Sequence, residues 1–297
     1  MVISKKTIMN PGDNNKILVI SDLDGTLLND RKEITEYTQN VLNRLIEQGL
    51  FFSVATARTA ATVSKLIEKI HVNVPIVLMN GVCIYDLQNR KYVNIEVMDK
   101  QSAKNLILLI REFGLSGFLY TIQDHILNTF YQNTDSPHAV EFIKERVEGF
   151  GKVFTKVNNF SDCLKQSPVY YSVADTEEKL KKACDKIRMI KGLRCEFYRD
   201  TYHDGFWYLE VCSEKASKYN AVEFLRNQYG FDQIYGFGDN LNDLSLFEAC
   251  DRSFAVMNAK SEVKEKASEV IRSNDEDGVA RCLIEIPGME KDGGRWI

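Results

Sequence analysis

The sequence predicts a parallel α/β fold interrupted by a separate α+β domain. Three observations carry this. Short apolar runs of strand length end abruptly in polar residues, amphipathic helical stretches lie between them, and the texture changes from about Asp86 to about Ser213 before the first pattern returns. Continuous apolar strands belong to a parallel sheet covered on both faces, whereas strands broken by polar residues belong to half-exposed antiparallel sheets.

The first run, Ile17–Ile20, breaks into Asp22, Asp24 and Gly25. In the helix that follows, Thr35–Gln48, Val41, Leu42, Leu45 and Ile46 share one face and Gly49 stands where the helix stops. Leu50–Ala55 repeats the pattern, ending at Thr56, Ala57 and Arg58, and a helix from Thr59 carries Val63, Leu66, Ile67 and Ile70 inward. Pro75–Met79 is a third apolar strand, ending at Asn80 and Gly81.

The middle region has helical patterns at Gln101–Phe113, His138–Val147 and Thr176–Ile190. Strands are expected at Tyr92–Val97, Gly117–Ile122, Val169–Val173, Leu193–Tyr198 and Phe206–Cys212. The first texture then resumes. A helix Ser217–Gln228 has Ser217 as N-cap, Gln233–Gly238 runs into Asp239, Asn240, Asn242 and Asp243, and Ser253–Met257 runs into Asn258. A charged helix Ser261–Ser268 and a strand Val270–Arg272 complete it, and Met1–Asn15 and Pro287–Ile297 read as tails. The expected domains are therefore a core of 1–85 and 214–297 and an insertion of 86–213.

With 44% hydrophobic and 27% charged residues in 297, the chain has the composition of a globular protein. Its net charge of −4 gives no global field toward nucleic acid or anionic lipid. The start of the chain lacks the apolar stretch of a secretory signal and no run is long enough to span a bilayer, so a cytoplasmic monomer without nucleic-acid or membrane partners is expected. Seven scattered cysteines and four scattered histidines form neither a disulfide framework nor a ligand pattern for zinc.

If the strands are parallel neighbours, Asp22, Asp24, Asp239 and Asp243 crowd one sheet edge, where ligands of parallel α/β proteins bind. Neighbouring carboxylates at 4 Å repel by on the order of 4 kcal/mol per pair at a surface-like dielectric, so a cation belongs among them. Oxygen-only donors that leave room for water and phosphate suit Mg²⁺. Lys218, in the first turn of its helix against the macrodipole, and Thr56, at the start of another helix, add an anion site. Together these suggest phosphoryl chemistry, with Asp22 as nucleophile and Asp24 as acid and base.

The set DLDGT at Asp22–Thr26, ATAR at Ala55–Arg58, Lys218 and GDNLND at Gly238–Asp243 resembles the four motifs of the haloacid dehalogenase superfamily. The long insertion, NGV at Asn80–Val82 and NDEDGVA at Asn274–Ala280 narrow the resemblance to the Cof-type (subfamily IIB) phosphatases, over Lys16 to Ala280 in order. It implies a Rossmann-like parallel-sheet core with a large α+β cap of the C2 type. It also implies Mg²⁺ held by Asp22, the Asp24 carbonyl and Asp239, with Asp243 assisting. The phosphate of a small metabolite such as a sugar phosphate would meet Leu23, Thr56, Ala57, Lys218 and Asn242. Ala57, Val82 and Tyr219 depart from the usual pattern without removing a reacting group. A phosphomutase, and a phosphoacceptor like a response-regulator receiver, are the alternatives; Asp24 and the inserted domain favour an enzyme with turnover over the phosphoacceptor and leave hydrolase and mutase open.

Overall fold

The structure, a computed structural model, describes residues 16–134, 136–199, 205–286, 291–292 and 295–296. Both expected tails fall outside them apart from the short antiparallel pair Lys291–Asp292 and Arg295–Trp296. The chain divides into two compact units. One comprises Met1–Ala55, Leu66–Val74 and Val222–Ile297, the other Thr56–Lys65 and Pro75–Ala221.

The first unit is built on five parallel strands in the order Glu269–Ile271, Arg252–Val256, Gln233–Gly238, Ile17–Ser21, Phe51–Val54. The two central strands are the ones whose ends carry aspartates, and Ser21 is the Cα partner of Phe237. Their side chains are buried on both faces, which is why they read as unbroken apolar runs. The helix Glu36–Glu47 starts at Thr35, whose Oγ1 accepts from Thr38 N at 3.1 Å, and buries Val41, Leu42 and Leu45.

The second unit holds a six-stranded mixed sheet in the order Leu193–Arg199, Trp207–Ser213, Pro168–Asp175, Phe118–Gln123, Ile126–Tyr131, Phe154–Lys156. All its pairs are antiparallel except the last. The helices Lys100–Glu112 and Glu177–Ile187 bring Leu106, Ile110, Leu180 and Ile187 into one core with Leu119, Tyr171, Leu209 and Val211 of the sheet. The alternate residues point to the opposite face, where Phe142 of the helix Pro137–Phe150 stacks on Phe118 at 4.9 Å.

One expected neighbour lies elsewhere. Ile76–Leu78, predicted as a further strand of the parallel set, forms an antiparallel three-stranded sheet with Cys83–Asp86 and Lys91–Ile95. The apolar run is a strand, as its sequence predicts, but burial does not specify its hydrogen-bonding partner. The turn that follows reverses the chain through three consecutive left-handed residues, Met79, Asn80 and Gly81. The strand Ile126–Tyr131 escaped prediction because its two-residue turn, Asp124–His125, reaches φ of 50° and 60° without the glycine that usually marks such hairpins.

Candidate active site

In the first unit, the ends of the two central strands bring Asp22, Asp239 and Asp243 together: each offers an oxygen within 4.8 Å of the others. Asp22 is 5% exposed and Asp243 fully buried, while Asp239 is half-buried. Backbone donors hold this arrangement. Asp22 N donates to Phe237 O at 2.9 Å, tying the strand ends together. The Asp243 carboxylate accepts from Asp239 N and Asn240 N, both at 3.0 Å, inside a capping box with Asn240. Thr26 Oγ1 donates to Asp239 Oδ1 at 2.9 Å.

Glycine is required where the strands turn. Gly25 has φ +78°, and a Cβ there would lie 2.6 Å from Asp239 Oδ2. At Gly238 a Cβ would lie 2.5 Å from that of Asp243. The Asp24 carboxylate is not one of the three; Asp24 is half-buried and bridges to Leu28 in the turn, where Leu23 O accepts from Leu27 N and Leu28 N at 3.1 and 2.8 Å. Leu23 is buried and Asn242 exposed. Three oxygen donors converging on one point, with no cysteine or histidine among them, fit a hard divalent cation.

Two asparagines brace the acidic turn, and only their place in the chain announced them. Asn258 Nδ2 donates to Gly25 O at 2.8 Å, and its Oδ1 accepts from Asn274 N at 3.0 Å. Asn274 Nδ2 in turn donates to Leu28 O at 3.1 Å. A strand ending in Asn258 reads equally as a simple loop residue, so neither this role nor that of Thr26 was separable from capping. The recurrent signal was polar residues just past apolar strands.

In the second unit, Thr56 is buried and Ala57 exposed. Thr56 N donates to Val77 O at 3.0 Å, its carbonyl accepts from Asn80 N at 3.0 Å, and its Oγ1 accepts from Arg58 N at 3.2 Å. Gly81, at φ +95°, lies so close to the start of the helix Lys218–Tyr229 that a Cβ would stand 2.1 Å from Ser217 O. Ser217 Oγ accepts from Asn220 N at 3.0 Å, the N-cap bond expected from the sequence. Lys218 is 1% exposed. A lysine buried to that degree is not a solvated surface residue.

Residues 19–283 match the haloacid dehalogenase-like hydrolase family. Among curated proteins the chain is 28% identical to the 5-amino-6-(5-phospho-D-ribitylamino)uracil phosphatase YwtE of Bacillus subtilis over 280 residues, covering 89% of this chain and 96% of that one. It is 23% identical to the pyridoxal phosphate phosphatase YbhA of Escherichia coli, covering 90% and 97%. A solved structure from Thermotoga maritima superposes with a TM-score of 0.74 at 24% identity, covering 93% of this chain and 98% of that one, which shows a shared fold. With a family match over almost the whole described chain and the same parallel core and inserted mixed sheet, the protein belongs to the haloacid dehalogenase-like hydrolases, in their Cof-type, subfamily IIB, phosphatase branch.

Proposed function

We propose that the chain is a Mg²⁺-dependent phosphatase of small phosphorylated metabolites, acting through an aspartyl-phosphate on Asp22. The observation that carries this reading is the convergence of Asp22, Asp239 and Asp243 at the ends of neighbouring parallel strands. Bound Mg²⁺ would offset the charge of the carboxylates and polarise the phosphoryl oxygens. An Asp22 oxygen attacks phosphorus as the bond to the leaving oxygen breaks, and Asp24 donates a proton to that oxygen. Asp24 then takes a proton from water, whose oxygen displaces Asp22 and releases inorganic phosphate. Lys218, Thr56, Asn242 and the amides of Leu23 and Ala57 are the proposed phosphate ligands, and Asp243 fixes the loop that carries Asp239.

The substrate class follows from the relatives. YwtE and YbhA are named for two small phosphate monoesters, a phosphoribitylamino-uracil and pyridoxal phosphate. The segment 86–213 is proposed as the cap that selects among such molecules. The test is phosphate release from a panel of phosphorylated metabolites, with Mg²⁺ or EDTA, by wild type and Asp22→Asn. Metal-dependent release, reduced by roughly a thousandfold or more in the variant, is expected for loss of a nucleophile. Equal release by the variant would remove Asp22 from the chemistry. No release from any compound, with Mg²⁺-dependent labelling of Asp22 by acetyl phosphate, would make the chain a phosphoacceptor.

A further inference from the structure

The face of the six-stranded sheet opposite its main core carries a cation that is out of place. Lys152 is half-buried, with Nζ 4.7 Å from the centre of the Tyr120 ring and 5.3 Å from that of Phe154. No carboxylate among the described residues forms an ion pair with it. The helix end puts it there. Gly151, in the left-handed conformation at φ +63°, closes the helix Pro137–Phe150 so that Lys152 N donates to Arg146 O at 3.1 Å and Gly151 N to Val147 O at 2.9 Å.

This turn sets Lys152 beside a second cation. Arg146 lies over the Phe142 ring, 3.8 Å from its centre, and pairs with Glu145 at 2.6 Å on the exposed side. Phe142 packs in turn against Phe118 and Phe154, so both cations rest on one aromatic floor. Burial, with Arg146 nearby, pulls the lysine down to about 7.

An independent observation lies beneath the lysine. Thr129 is the cross-strand partner of both Tyr120 and Phe154, so its side chain stands between the two rings that carry Lys152 Nζ. It is 1% exposed, and its Oγ1 has no hydrogen-bond partner among the described residues. Buried hydroxyls rarely go unpaired, because desolvation without a partner is costly. A donor without an acceptor, under an ammonium without a counter-ion, describes a place for an anion.

The geometry points to an anion-binding site on this unit, formed by Lys152, Arg146 and Thr129, that takes a carboxylate or phosphate group. The ammonium and guanidinium supply charge-assisted hydrogen bonds, Thr129 a third donor, and the rings exclude water from one side. The anion comes either from a free metabolite or from a second acidic group on a phosphorylated substrate. The second source rests on the proposed phosphatase reading; the first does not.

The test is calorimetric titration of the full chain with malonate, in EDTA at fixed ionic strength, for wild type, Lys152→Met and Thr129→Val. Saturable binding by wild type, weakened about tenfold in each variant, is expected for loss of one donor from such a site. Equal binding by all three, or none by wild type, overturns the proposal. Thr129→Val keeps the side-chain shape, so a folding defect in Lys152→Met would not leave the question open. Malonate carries no phosphate, so this outcome is independent of Asp22. The source is then read from phosphate release: loss in Lys152→Met of a preference for 3-phosphoglycerate over glycerol 3-phosphate assigns the anion to the substrate. An unchanged ratio alongside weakened malonate binding assigns it to a free metabolite.

Discussion

The two units of the molecule hold their buried charge in opposite ways. The parallel unit crowds three carboxylates within 4.8 Å and fastens those of Asp243 and Asp239 with backbone N–H groups and the Thr26 hydroxyl. The α+β unit instead sets charges against aromatic rings on a sheet face, without gathering carboxylates around one point. There Glu210, half-buried, takes hydrogen bonds from the Tyr170 and Tyr198 phenols, and desolvation raises its pKa. Lys152, on the same face, is lowered. Isolated groups in a poorly hydrated setting move toward their neutral forms. A fixed cluster of like charges makes sense instead where a counter-ion arrives, because hydrogen bonds orient the carboxylates without cancelling their repulsion.

The comparison breaks first at Gly25. Gly25→Ala would strain a backbone held at φ +78° and drive a methyl group to 2.6 Å from Asp239 Oδ2, so the carboxylate must move. A displacement of order 1 Å at a reacting centre costs about a hundredfold in rate. Under the proposed function, the expected outcome is a loss of that size in kcat/KM, together with no rise in Tm on adding Mg²⁺ where wild type is expected to show one. Retention of both would show that the cluster tolerates rearrangement.

Asp243 gives the next largest effect and separates fastening from charge. Asp243→Ala strips the acceptor from Asp239 N and Asn240 N. Asp239 is half-buried and Asn240 exposed, so water replaces part of what these donors lose, and urea unfolding without metal should show a loss of about 1–2 kcal/mol in all. Asp243→Asn retains an acceptor oxygen without the charge. It should recover most of the stability in EDTA while gaining less than wild type from Mg²⁺. Equal gains would mean that the Asp243 charge plays no part in cation binding.

Much of the parallel unit was legible because its signals are local. An apolar run that stops at an aspartate reports both the buried strand and its polar end, and Thr35 and Gly49 mark helix ends by their own backbone requirements. The sequence thus predicts Asp22, Asp24, Asp239 and Asp243 together, and the structure gathers Asp22, Asp239 and Asp243 without the Asp24 carboxylate. What stayed hidden depends on register. Ile76–Leu78 carries the same apolar signal as its predicted neighbours, yet its partners are chosen by the turn at Met79–Gly81. Thr129 and Lys152 are ordinary residues in sequence, 23 positions apart, and the site they form exists only because a strand register and a helix cap converge.

The smallest expected effect sharpens the other half of the comparison. Lys152 titrates near 10.5 in the unfolded chain and at about 7 when folded. Between those values the unfolded chain binds a proton that the folded chain does not, so raising the pH favours folding. The groups that share its face, Arg146, Tyr120, Tyr170, Tyr208, Glu210 and His138, remain in a Lys152→Met variant, so the difference from wild type reports Lys152 together with its coupling to them. Wild type should therefore be at its greatest disadvantage to Lys152→Met below pH 7 and gain on it as the pH rises, readable by urea unfolding at pH about 6 and about 9. Because the lysine is only half-buried, solvent screening makes the change smaller than the full interval would give. Saturating malonate stabilises the charged lysine and should flatten the difference. A slope that persists unchanged would mean that the anion does not meet this ammonium, whereas the absence of any slope would mean that the lysine keeps its charge by turning out to water.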